Sequence, residues 1–120
     1  MKNTLIKAAT EAGKILKENF GGDFKISSKD VVSNLVTEID QKSEDKIIEI
    51  IKNDFPLHDI ITEEAGAIYQ ESDFKWIIDP IDGTVNYAHA IPLTFVSIGL
   101  EKKGEIIMGV VFNPISNEFF

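Results

Sequence analysis

Leu5, Ala8, Ala9, Ala12, Ile15, Leu16 and Phe20 recur at three- and four-residue spacing, which lines one face of a helix. Gly21-Gly22 supplies its stop. The polar stretch 25–30 predicts a strand-like excursion or a loop. A second helix is predicted from Thr37, read as an N-cap with Asp40 three residues on in a capping-box-like position. Ile39, Ile47, Ile50 and Ile51 form its apolar face, and Pro56 ends the run. Beyond Pro56 the period changes. Residues 59–62 and 74–79 are short β-rich runs. Residues 94–101 and 105–112 flank Lys102-Lys103-Gly104, which reads as a hairpin with a Gly-containing loop. Asn113-Pro114 breaks the second arm, and Glu118-Phe119-Phe120 begins another strand. Two helices followed by mostly antiparallel strands read as an α+β fold, with the helices packed on a mainly antiparallel sheet. There is no internal repeat and no low-complexity tract.

Composition narrows the class. The chain has 120 residues, is 43% apolar and 27% charged, and so has the make-up of a globular domain with one core rather than of a disordered chain. It has no cysteine, which excludes a disulfide scaffold, a zinc–thiolate site and a cysteine nucleophile, and agrees with a cytoplasmic setting. A net charge of −8 argues against nucleic acid or an anionic membrane as partner. A phosphate substrate stays open, because bound cations invert the local sign. No segment has the roughly 18 unbroken apolar residues of a membrane span. Lys7, Glu11, Lys14 and Lys17 interrupt any signal-peptide core. The sequence ends on Phe119-Phe120 where a strand should start, so a longer protein is expected.

The candidate chemistry is acidic. Asp40 sits in the first turn of the predicted second helix, and on spacing alone it reads first as a cap. Glu63 and Glu64 leave the end of the run Ile60-Ile61-Thr62, and Asp79 ends Trp76-Ile77-Ile78. Asp82 follows across Pro80 and Ile81. Hard cations such as Mg²⁺ take oxygen ligands, one or two carboxylates plus waters and substrate phosphates. Asp79-Pro80-Ile81-Asp82 fits that demand, because Pro80 fixes its own φ and biases Asp79 to an extended backbone. Two carboxylates then point to one side of a rigid turn, with the Ile81 carbonyl between them. Gly83-Thr84 can open a helix whose free N–H groups suit an anion. The bland alternatives are solvated turn residues for Glu63 and Glu64, an Asx-type turn for Asp79 and Asp82, a solvated Lys29, structural or surface positions for His58 and His89, and a core role for Trp76.

The segment from Trp76 to Tyr87, with Asp79-Pro80-Ile81-Asp82-Gly83-Thr84 at its centre, resembles the first signature of the inositol monophosphatase family, which are Mg²⁺-dependent, lithium-sensitive phosphatases. Asn34-Leu35-Val36-Thr37 to Asp40 resembles the family's helix-entry motif, and Thr62-Glu63-Glu64 its Glu-Glu motif. Tyr87, His89, Pro92, Val96-Ser97-Ile98 and Gly109-Val110-Val111 to Pro114 extend the resemblance over nearly the whole chain.

The resemblance implies the N-terminal part of a layered αβαβα sugar-phosphatase fold over 1–120, with the C-terminal half absent. It implies that Glu63, Asp79 and the Ile81 carbonyl bind a first Mg²⁺ and that Asp79 and Asp82 share a second. Asp40 and Thr84 are then catalytic with Glu63: Thr84 helps hold the attacking water, and Asp40 pairs with Thr84 and helps take the proton. The Gly83 and Thr84 amides hold the phosphate, with Lys29 near it. The implied substrate is a small phosphorylated polyol or sugar, foremost inositol monophosphate. The alternatives are 3'-phosphoadenosine 5'-phosphate or fructose 1,6-bisphosphate, or a non-catalytic metal- and phosphate-binding module. The family is often dimeric, which makes a homodimer the candidate assembly. The family's second signature, Trp-Asp, whose Asp completes the second metal site, does not occur in these residues.

Overall fold

The computed structural model of the chain describes residues 1–19, 29–62, 66–82 and 94–120, the side chains of 29–37 and 82 excepted. In chain order the elements are α1 (Lys2–Asn19), α2 (Lys29–Asp54), β1 (Asp59–Thr62), β2 (Gly66–Ile68), β3 (Phe74–Asp82), β4 (Phe95–Lys102), β5 (Glu105–Asn113) and β6 (Glu118–Phe119). The strands form one sheet in the order β2-β1-β3-β4-β5-β6. All neighbouring pairs are antiparallel except β1 with β3, which is parallel. The α+β expectation of helices on a mainly antiparallel sheet is met.

The expected periodicity builds the core. Leu5, Ala8, Ala9, Ala12 and Leu16 of α1 are buried, and Ile39, Ile47, Ile50 and Ile51 of α2 join them. Trp76 and Ile78 of β3, Val96, Ile98 and Leu100 of β4, and Val110 and Phe112 of β5 alternate onto the same cluster, as the two-residue period of a strand requires. Trp76 is fully buried, in line with the core role expected for it. Thr4 Oγ1 donates to Asp54 Oδ2 at 2.7 Å, tying the start of α1 to the end of α2. The opposite face of the sheet is less covered: Ile77 is 38% and Ile106 62% exposed. No helix among the described residues is long and apolar enough to cross a membrane.

Several expectations shift. The second helix starts at Lys29, not Thr37, so Lys29 and Asp30 belong to a helix rather than to a strand-like excursion or loop. The sequence carries the reason, since Val32, Leu35 and Val36 continue the helical spacing upstream of Ile39. Strand β2 was absent from the sequence reading. It is three residues long and opens on Gly66 at φ 81°. Strand β3 runs on to Asp82, past the stop expected at Asp79. The hairpin between β4 and β5 turns on Lys103 (φ 51°) and Gly104 (φ 86°), the two positive values that a tight two-residue turn demands.

Candidate active site

The site region begins where β1 and β3 end. Their parallel register pairs Ile60 with Trp76 and Thr62 with Ile78. In a parallel pair both carboxyl ends lie at the same edge of the sheet. Asp79 is the next residue of β3. It is half-buried and turns to the face away from the helices, where it lines a depression of about 310 Å³ with Thr62, Ile77, Ser97 and Gly99.

Past Asp79 the ladder with β4 shifts. Asp79 pairs with Ser97, and Asp82 pairs with Phe95. Two residues of β3, Pro80 and Ile81, therefore oppose Val96 alone, which is a β-bulge. Pro80 explains its position. It has no N–H to give to a ladder, and a proline within a central strand is tolerated at a bulge. Pro80 and Ile81 are both buried in succession, so the in-and-out alternation loses one step. Ser97 and Phe95, the ladder partners of Asp79 and Asp82, are two residues apart and share one parity.

Helix α2 supplies Asp40, which is 7% exposed. The capping role expected from spacing is excluded. Asp40 lies about three turns inside α2, where the backbone amides are engaged along the helix. Ser43 and Glu44, one turn further, are completely buried with it. Gln41 Nε2 donates to Glu44 Oε2 at 3.3 Å. Ser43 Oγ and Glu44 Oε1 are buried with no hydrogen-bond partner among the described residues. The sequence reading missed both. The available signal was their i+3 and i+4 spacing from Asp40, which sets a polar stripe between Ile39 and Ile47.

Of the expected site residues, Asp40, Asp79 and Ile81 are described in full. Lys29 opens α2 and Asp82 ends β3, and the side chains of both fall outside the described residues, as do Glu63, Gly83, Thr84 and His89 altogether. Among the described residues there is no group of three acids or histidines able to hold a metal ion. The donors that are described, the carboxylates of Asp79 and Asp40, are oxygen ligands of the type Mg²⁺ prefers. Of the two positions open to His58, structural or surface, it takes the structural one. It accepts a hydrogen bond from the Trp76 indole at 3.0 Å and stacks between Phe55 and Phe74. Partial burial holds its pKa below the usual histidine value.

Helices layered on one face of a mixed sheet, with Asp79 and Asp82 towards the carboxyl end of β3 in its parallel pair, define a layered α/β class of protein. The model of the Inositol monophosphatase family matches residues 1–120, and the chain belongs to that family. It is 42% identical over 123 residues to Nus factor SuhB of Pasteurella multocida (strain Pm70), covering 100% of this chain and 46% of that protein. It is 38% identical over 121 residues to an inositol-1-monophosphatase of Mesorhizobium japonicum, covering 98% of this chain and 45% of that protein. Among solved structures, the extragenic suppressor protein suhB from Bartonella henselae superposes with a TM-score of 0.84 at 36% identity, covering 99% of this chain and 46% of that one. The chain spans about half the length of the curated relatives it matches.

Proposed function

We propose that residues 1–120 are the N-terminal part of a cytoplasmic, Mg²⁺-dependent and lithium-sensitive phosphomonoesterase acting on a small phosphorylated polyol or sugar, foremost inositol monophosphate. The observation that carries the reading is the parallel register of β1 with β3. Thr62 pairs with Ile78, and the next residues in sequence are Glu63 and Asp79. The bulge at Pro80-Ile81 supports Asp82 as a further ligand, because the ladder partners of Asp79 and Asp82 share one parity.

In this reading Glu63, Asp79, Asp82 and the Ile81 carbonyl hold Mg²⁺. Mg²⁺ held there would supply a bound water of lowered pKa and positive charge opposite the leaving oxygen. Thr84 would orient the attacking water, and Asp40, paired with Thr84, would help take its proton. The Gly83 and Thr84 amides hold the phosphate, aided by Lys29. The burial of Asp40 suits this, since a carboxylate shielded from solvent keeps its orientation and acts in a low dielectric.

The test is phosphate release by the longer protein that contains this chain, with inositol 1-phosphate, fructose 1,6-bisphosphate and 3'-phosphoadenosine 5'-phosphate offered side by side. Turnover should require Mg²⁺, and Asp79→Asn should lower it by at least about 100-fold. Undiminished activity in that variant refutes the assignment. The relative named Nus factor SuhB, at 42% identity, favours a second reading, that this protein is a Nus factor. Absence of Mg²⁺-dependent hydrolysis of all three esters leaves this reading and the non-catalytic binding module, and calorimetry with Mg²⁺ and phosphate separates them, since only the module binds both.

A further inference from the structure

His58 sits where three elements meet. Phe55 follows the last turn of α2, its N–H bonded to the Ile51 carbonyl at 2.7 Å, and the His58 N–H donates to the Phe55 carbonyl at 3.2 Å. His58 immediately precedes β1, and its ring lies between the rings of Phe55 (centroids 4.6 Å apart, planes 4° apart) and Phe74 at the start of β3 (4.7 Å, 19°). Trp76 Nε1 donates to His58 Nδ1 at 3.0 Å. An indole N–H is a donor only, so Nδ1 must be the acceptor and the neutral ring carries its proton on Nε2. Trp76 is fully buried and pairs with Ile60 in the parallel register.

We propose that His58 is an acid-sensitive clamp, in which protonation at Nδ1 removes the acceptor of the Trp76 indole and loosens the seat of the α2 end on the β1–β3 pair. The charged groups around it act in both directions. The neighbouring Asp59 carboxylate and the faces of the two phenylalanines favour an imidazolium. The indole N–H aimed at Nδ1 and partial desolvation oppose it, and the chain's amino terminus opposes it weakly. Lys102 Nζ lies 5.5 Å from the centre of the Phe74 ring and adds a further positive charge on the β4 side. Asp54, the last residue of α2, accepts from Thr4. Desolvation is the largest influence and the net direction is downward from 6.5. With the folded value depressed, the unfolded chain binds more protons between the two values. The clamp is therefore fully engaged above about pH 6.5 and is lost as pH falls through the folded value. The inference rests on described residues and is independent of the reading of the active site.

The chain carries one tryptophan and two histidines, which makes the test direct. The ring protons of His58 and the indole N–H and fluorescence of Trp76 are followed by NMR and emission from pH 8 to 4.5, in the unsubstituted chain, His58→Phe and His89→Gln. His58 should titrate below pH 6.5, with the indole signals changing at the same midpoint. The change should persist in His89→Gln and vanish in His58→Phe. A His58 midpoint at or above 6.5, indole signals that do not follow it, or an indole transition retained in His58→Phe overturns the proposal. The coincidence of midpoints in the unsubstituted chain decides the matter even where a variant fails to fold.

Discussion

Replacing Gly13 with alanine should destabilise the chain although it improves a helix. Gly13 lies on the buried face of α1. Its φ is not positive, so no backbone constraint demands glycine there. Alanine in a helix interior gains about 1 kcal/mol over glycine. Against that, a Cβ at this position meets Phe112 Cδ2 at 2.8 Å, approaches Cε2 more closely still, and reaches Pro114 Cβ at 3.1 Å. Phe112 is 4% exposed, stacked on Phe119 with centroids 4.1 Å apart, and paired with it across β5 and β6. The ring has little room to retreat, so α1 must lift from the sheet. Overpacking of this kind costs about 1–3 kcal/mol, and the severe contact places it at the upper end. The net loss is about 1–2 kcal/mol, or about 4–8 °C in melting temperature. Thermal unfolding followed by far-ultraviolet circular dichroism reads it. A double-mutant cycle with Phe112→Leu isolates the cause, because Gly13→Ala should become neutral or stabilising once the ring edge is gone. A rise in melting temperature for Gly13→Ala alone refutes the reasoning.

Other perturbations read separate parts of the fold. Asp59 Oδ1 accepts the Gln70 N–H at 2.6 Å and the Ser72 N–H at 3.3 Å, closing the connection between β2 and β3. Asp59→Ala should cost about 1–3 kcal/mol in urea unfolding and Asp59→Asn clearly less, and equal losses would point to charge rather than acceptance. Thr4→Val removes the bond to Asp54 and should cost about 1 kcal/mol, so an unchanged urea midpoint means that water replaces it freely. In the longer protein, Mg²⁺ at about 100 times its dissociation constant should stabilise by about 2.7 kcal/mol, and Asp79→Asn should abolish the effect; a melting temperature indifferent to saturating Mg²⁺ counts against the proposed metal site.

What the sequence disclosed follows from the range of each signal. The apolar spacing of α1 and the break at Pro56 act over a few residues, and the body of α1 and the end of α2 came out as read. The hairpin was legible because Lys103-Gly104 is a local backbone demand. The start of α2 was misplaced because Thr37 and Asp40 resemble a cap, while the apolar spacing continues through Leu35 and Val32. That error also gave Asp40 the wrong role. Its burial depends on packing against distant elements, so only the family resemblance pointed to more than a cap. The same limit hid Ser43 and Glu44, and the pairing of His58 with Trp76 across 18 residues.

The parallel pairing was the least legible feature, and it bears most on function. Runs 59–62 and 74–79 are consecutive strong β signals, and the default for neighbours is a reversal. The reversal is consumed by β2, whose three residues pair antiparallel with β1 and sit at the sheet edge. The chain then re-enters on the other side of β1 running parallel to it. An antiparallel pair sets the exit of one strand beside the entry of the other. Here two exits are neighbours, an arrangement that recurs at ligand sites of open α/β sheets. Pro80 adds the second step. It forbids one ladder bond and forces the bulge, and the extra residue gives the ladder positions of Asp79 and Asp82 the same parity. A regular strand would put residues three apart on opposite faces. The segment Asp-Pro-Ile-Asp thus has a physical reason for its proline: without an inserted residue the ladder positions of the two acids would fall on opposite faces, and the proposed site would lose one of them.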